Sequence, residues 1–378
     1  MTCLSAAGLL ARAATLLGSL LLVALAGELA LRLALPPADF GQDRVLRQRF
    51  HPHWKLHHRS AFGEYDTRFT YNSDGMRDRE RAKQKTCGTS RILAIGDSFT
   101  EAREVERDEG FTAVLERLLA VDVPVEVINA GRSGLGAAEE YLVLHHFGIA
   151  RQPDLVIQAF FMNDVQDDAW RRDRIEWDAD GLPVRMLGVR SDFVVFVRDS
   201  AARLPFVWKR KLVARDLVDD PEADPFWALR HAGNTESEKQ WATTLRMIEG
   251  AARLSEQHGA EYLLVVIPFG DQVDPTVLSP VAQAWDLGEL ASGRAPQDRI
   301  VRFASERGIA VLDLLPSLSL LARSEEAGEA GLYFPHDGHW TSRGHRAAAE
   351  ILREELVSMG WVVRHGERAR GCTEQQAR

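Results

Sequence analysis

Short apolar runs recur through the middle of the chain. Each closes on a small or polar residue, and segments with helical spacing lie between them. Residues 91–95, 123–130, 154–161, 261–267 and 309–315 are near-continuous apolar stretches of strand length. Phe111, Val114, Leu115, Leu118 and Leu119 recur at three- and four-residue steps and predict a helix after the first strand. A second helix is expected from Glu139 to Phe147. Thr235-x-x-Glu238 reads as a capping box opening a third. Its core face would be Trp241, Leu245, Ile248 and Ala252, and Gly259 its C-cap. A last helix from about Ser342 to Ser358 would bury Ala348, Ile351, Leu352 and Leu356. Strands apolar along their whole length, alternating with helices, predict an α/β fold: a five-stranded parallel sheet covered on both faces.

The flanks divide the chain further. Residues 13–35 are apolar or small apart from Glu28 and Arg32, and Pro36-Pro37 ends the run. This is the length of a bilayer span, so residues 1–37 are expected to be an N-terminal transmembrane anchor. A cleaved signal peptide, with Ala24-Leu25-Ala26 as its site, and a buried core helix are the alternatives. Residues 38–87 form a connecting region. Its histidines at 51, 53, 57 and 58 read as a polar strip rather than a metal site, Glu64–Tyr71 as a strand and Asn72–Gly75 as a turn. The main domain is expected over 88–362, interrupted by an insertion at about 165–233 that carries Trp170, Trp177, Trp208 and Trp227. Those aromatics could stack on sugar rings or form a satellite core. Phe193–Val213 mixes basic and apolar residues and suggests a membrane-surface segment. Residues 363–378 are expected to be a flexible polar tail.

Charge and cysteine content narrow the class. A net charge of −9 with interspersed signs excludes a nucleic-acid-binding protein. The three cysteines form no metal-ligand pattern, and Cys87 and Cys372 could pair or remain thiols. No metal or cofactor is expected. The basic residues following the apolar segment would hold the domain in the cytoplasm by the positive-inside rule, although long domains translocate regardless of flanking charge.

The candidate chemistry sits where strands end. A strand that stops at Gly96 and turns into a helix presents Asp97-Ser98 at the carboxyl edge of the sheet, where open α/β sheets bind ligands. Ser98 there can be a helix cap or a nucleophile. Acyl transfer also needs a base, a group to orient it and oxyanion donors. His339 supplies the base, and Asp337, two residues earlier, can fix its tautomer. The backbone N–H groups of Ser98 and Gly134 with the Asn163 amide can form the oxyanion hole. His336 and His345 are weaker base candidates.

Gly96-Asp97-Ser98-Phe99-Thr100, Asn129–Gly134, Asn163-Asp164 and Asp337-Gly338-His339-Trp340, in that order, resemble the blocks of the SGNH (GDSL-type) hydrolase superfamily. Asn72–Arg77 resembles an upstream segment of its membrane-anchored members. The resemblance implies a flavodoxin-like α/β/α sandwich and a metal-free serine mechanism. The expected activity is hydrolysis of acyl esters, with acetyl esters of a glycan the expected class, by a domain anchored on the periplasmic or extracellular side. One residue rather than two separates Asp337 from His339, and Trp340 follows. That form is similar to the alginate O-acetyltransferase-like branch, so acetyl transfer to a polysaccharide is the alternative. A non-catalytic glycan-binding protein is the second alternative.

Overall fold

The computed structural model describes residues 6–34, 52–187, 226–274, 279–284, 286–324 and 331–376. The strands are β1 (Lys55–Arg59), β2 (Asp66–Thr70), β3 (Ser90–Gly96), β4 (Val125–Asn129), β5 (Leu155–Phe160), β6 (Ile175–Trp177), β7 (Pro183–Met186), β8 (Glu261–Val266) and β9 (Ala310–Asp313). Helices of seven or more residues are α1 (Ala6–Ala34), α2 (Phe111–Leu119), α3 (Ala137–Val143), α4 (Asp164–Arg171), α5 (Thr235–Gln257), α6 (Ala295–Glu306), α7 (Leu315–Arg323), α8 (Ser342–Ser358) and α9 (Trp361–Gln376). The central sheet is wholly parallel in the order β4-β3-β5-β8-β9. Numbered within that sheet, the order is 2-1-3-4-5, the flavodoxin-like arrangement, whose ligand crevice opens between the first and third strands. Here that is the gap between β3 and β5.

The strands are apolar on both faces because both are covered. Ile92 and Ala94 of β3 join one core with Phe111, Leu115 and Leu119 of α2 and Leu352 and Leu356 of α8. Leu93 and Ile95 join the other with Leu142 of α3, Ile248 of α5 and Ile300 of α6. This period-two division assigns alternate residues to opposite layers. The expected helix faces match: Trp241, Ile248, Ala252, Ala348, Leu352 and Leu356 are buried, and Leu245 and Ile351 pack at the core margin. The cap of α5 is Asn234, whose side chain accepts from Glu236 N–H at 2.8 Å, rather than Thr235.

Three expectations about the flanks need correction or completion. Among the described residues no helix is long and apolar enough to cross a membrane. No span is found for the expected anchor among them; α1 carries Arg12, Glu28 and Arg32 within its 29 residues. The tail beyond 362 is not loose through its first part, because it continues as α9. Trp361 is fully buried, stacks on His365 at 4.1 Å and is part of the core. His365 Nδ1 lies 2.8 Å from Ser90 Oγ at the start of β3. Burial of Trp361 and the His365 hydrogen bond to Ser90 thus hold the helix to the domain. In the insertion, β6 and β7 form a hairpin whose Ile175 and Met186 are buried in the second core. Trp177 packs against that core and Trp227 is buried against His231. Trp177 thus extends the main core and Trp227 packs apart from it, whereas Trp170 is 36 % exposed. Trp208 and the segment Phe193–Val213 lie outside the described residues.

Candidate active site

Ser98 opens a single helical turn, Ser98–Glu101, directly after β3. Asp97 caps this turn by accepting from Phe99 N–H at 2.9 Å, and Ala102 ends it in the left-handed region. The long helix expected after Ser98 therefore begins only at Phe111. The turn keeps the Ser98 side chain half-exposed while Phe99 beside it is buried. The loop 334–340 before α8 arrives from the other end of the domain. Phe334 N–H donates to the His339 carbonyl and Gly338 N–H to the Phe334 carbonyl, closing it tightly. Trp340, 1 % exposed, anchors it against Phe99 and Phe111.

These two segments place three polar side chains in a line. His339 Nε2 is 2.7 Å from Ser98 Oγ. His339 Nδ1 is 2.5 Å from Asp337 Oδ1. The other Asp337 oxygen accepts from Tyr65 O–H at 2.8 Å. His336 points elsewhere, toward Glu64 and the Phe62 ring. His345 lies buried under Trp340, where burial drives its pKa down to about 3.

Gly134 and Asn163 stand at the same edge, after β4 and β5. Gly134 has φ +77, a conformation that favours glycine. Its carbonyl accepts from Arg171 at 2.6 Å, and Arg171 also pairs with Asp167 at 2.9 Å and Glu139 at 3.1 Å. Asn163 donates one amide hydrogen to Asp167 at 3.2 Å. Arg171 and Asp167 thus link the two oxyanion candidates. Neither Ser98 N–H nor Gly134 N–H donates to a partner among the described residues. The loop bearing Gly134 is tied to the Ser98 turn by Glu101, which accepts from Ser133 N–H and Oγ, both at 2.7 Å. A Cβ on Gly131 would sit 2.8 Å from Glu101 N, so only glycine permits this approach.

The electrostatics follow from burial and pairing. Burial raises Asp97 to about 6. Burial would also raise Asp337, but His339 and the Tyr65 hydroxyl overcome it and hold the carboxyl at about 2. Burial alone would lower His339; Glu104, Asp337 and Asp97 outweigh it and push the imidazole up to about 10.

Two of these residues carried no sequence signal. Tyr65 comes from the β1–β2 hairpin in the connecting region, which docks on the 334–340 loop through Tyr65, Glu64 and Phe62. Glu104 lies between the Ser98 turn and α2. Its carboxylate is buried, and one oxygen is 3.3 Å from His58 Nε2. Glu104, Asp337 and His339 each offer an atom within 4.8 Å of the others. Their donor set would suit a divalent ion, yet both His339 nitrogens are already engaged by Asp337 and Ser98.

The family model for the GDSL-like lipase/acylhydrolase family matches residues 94–347, more than half of the chain and the whole run from β3 into α8. The chain belongs to this family. It is therefore of the GDSL/SGNH esterase type. A comparison with curated proteins gave no match. Solved structures similar to it include a catalytic mutant of the acetylxylan esterase Axe2 from Geobacillus stearothermophilus. That match has 15% identity and a TM-score of 0.39, over 71% of this chain and 94% of the other. The acetyl xylan esterase AlAXEase matches at 16% identity and a TM-score of 0.38, over 70% and 99%. LAE5, an alpha/beta hydrolase enzyme from the metagenome of Lake Arreo, Spain, matches at 14% identity and a TM-score of 0.40, over 74% and 98%.

Proposed function

We propose that this GDSL-family chain is a serine-dependent acyl-ester hydrolase in which Ser98 is the nucleophile, His339 its general base and Asp337 the group that orients and charges the imidazole. The observation that carries the reading is the unbroken line Asp337–His339–Ser98, at 2.5 and 2.7 Å. As Ser98 Oγ attacks an ester carbonyl, its proton passes to His339 Nε2. The imidazolium formed faces the Asp337 carboxylate, which stays ionised. The N–H groups of Ser98 and Gly134, with the second Asn163 amide hydrogen, would take the negative charge on the carbonyl oxygen. His339 then returns the proton to the leaving alcohol, and water repeats the sequence on the acyl-serine.

A small acyl group, acetyl in the first instance, is the substrate class proposed, carried on a glycan or similar alcohol. The Asp337-x-His339-Trp340 form and the Trp-bearing insertion prompt the acetyltransferase alternative; within that form Trp340 is a buried core residue. Cys87 is disulfide-bonded, which supports a catalytic domain working in an oxidising compartment outside the cytoplasm. The test is incubation with an acetylated xylo-oligosaccharide, with and without an unacetylated glycan acceptor. Free acetate released at the same rate in both, and abolished by His339→Ala in a folded protein, is expected. Acetyl accumulating on the added glycan faster than free acetate appears would replace hydrolysis by transfer, and unchanged turnover in His339→Ala would remove the assigned base.

A further inference from the structure

Asp337 accounts for only part of the negative charge facing His339. The Asp337 oxygens are both committed, one to His339 and one to Tyr65. Glu104 brings a second carboxylate from a different segment, with an oxygen within 4.8 Å of a His339 ring nitrogen and of an Asp337 oxygen. Glu104 is 5 % exposed, and its Oε2 is buried without a hydrogen-bond partner. A buried carboxylate oxygen left unpaired is costly unless a positive charge compensates it. His58 approaches the other oxygen at 3.3 Å from the edge of β1. The position that lacks a partner is thus on the carboxylate that neighbours the imidazole.

We propose that Glu104 is a positioning residue that acts through His339: its buried charge stabilises the imidazolium formed when Ser98 attacks and sets the pH above which His339 is free to act as a base. This rests on the triad reading above. Glu104 exchanges no proton; the Ser98 proton goes to His339 Nε2 and from there to the leaving alcohol.

The groups that face His339 define the balance. Asp337 is on its own loop, Asp97 is at the end of β3 and Glu104 lies before α2. Tyr65 comes from the hairpin and is neutral, since burial and Asp337 raise its pKa. His345 on α8 is neutral above pH about 3. Arg77 donates to the backbone carbonyls of Glu101, Ala102 and Val105, the segment that carries Glu104. Three carboxylates therefore surround one imidazole, and the imidazole is pushed up to about 10.

An opposite charge at this range moves a titration by about one pH unit or more. The experiment is a kcat/KM–pH profile with p-nitrophenyl acetate for the full-length chain and its Glu104→Gln variant. The acid limb of the variant is expected to fall by about one pH unit, a gain of about tenfold at a pH on the wild-type limb. Its alkaline plateau is expected below that of wild type, because a weaker base takes the serine proton less readily. The two profiles therefore cross. A loss by the same factor at every pH, with the limb in place, would overturn the proposal and leave Glu104 a packing residue. Glu104→Asp withdraws the charge by one methylene, so its limb is expected between the two; an unmoved limb overturns the proposal even where Glu104→Gln does not fold. The His339 ring followed by nitrogen NMR in wild type and Glu104→Asp separates this idea from the triad reading. A shifted imidazole titration in a protein without esterase activity supports Glu104 while sinking the triad, and an unshifted one sinks Glu104 alone.

Discussion

Glu101 offers the sharpest test of how the site is held together. It is fully buried at the end of the Ser98 turn. It accepts from Tyr71 O–H at 2.7 Å, from Ser133 N–H and Oγ at 2.7 Å, and pairs with Arg103 at 2.8 Å. Burial would raise its pKa, but Arg103, Arg132 and these hydrogen bonds reverse the effect and hold it at about 2, against an ordinary 4.5. At about 1.4 kcal/mol for each pH unit, that depression corresponds to about 3 kcal/mol of stability at neutral pH. Breaking a buried ion pair by removing one partner costs about 3–5 kcal/mol, the same range. Because the folded value is depressed, this contribution is complete above the unfolded value of 4.5 and is lost as pH falls toward 2. Glu101→Gln is expected to lower urea-unfolding stability by about 3 kcal/mol at neutral pH, and by clearly less near pH ~3. It also releases the Ser133–Gly134 loop from the Ser98 turn, so kcat/KM should fall by about 10²-fold. A loss below about 1 kcal/mol at neutral pH, or a loss that does not shrink on acidification, would refute the reasoning.

Two further outcomes follow from single contacts. Trp361→Ala removes a fully buried indole from the interface of α9 with the sheet, and thermal or urea unfolding should show a loss of about 3–5 kcal/mol; a loss under about 1 kcal/mol would mean that α9 is not part of the cooperative fold. Tyr65→Phe deletes the hydroxyl that Asp337 accepts at 2.8 Å. Hydrogen bonds to charged groups contribute about 1.5–3 kcal/mol, so kcat should fall about tenfold or more with KM little changed; wild-type kcat would show that the hairpin does not support the site.

The parts legible in the chain were those governed by local period and turn chemistry. Five apolar runs became the five parallel strands because both faces of such a sheet are covered. The last helix buries Ala348, Leu352 and Leu356 at the spacing read from the sequence. Ser98, Gly134, Asn163 and the Asp337–His339 loop all fall at the carboxyl edge, since each follows a strand or precedes a helix there. What was not legible depends on contacts distant in sequence. Tyr65 meets Asp337 across 272 positions, and no local pattern marks it. Glu104 is one of five acids between residues 101 and 109 until folding buries it beside His339. The sequence of α9 is polar enough to read as a tail, and only the placement of Trp361 and His365 against β3 makes it structural. The apolar character of α1 was plain in the chain.

The central claim is that Ser98 is an activated nucleophile. Intact-protein mass after incubation of the folded chain with a fluorophosphonate probe, beside Ser98→Ala, tests it most directly. One adduct on wild type and none on the variant is the predicted result. No adduct on folded wild type, or an adduct that persists in Ser98→Ala, would contradict it.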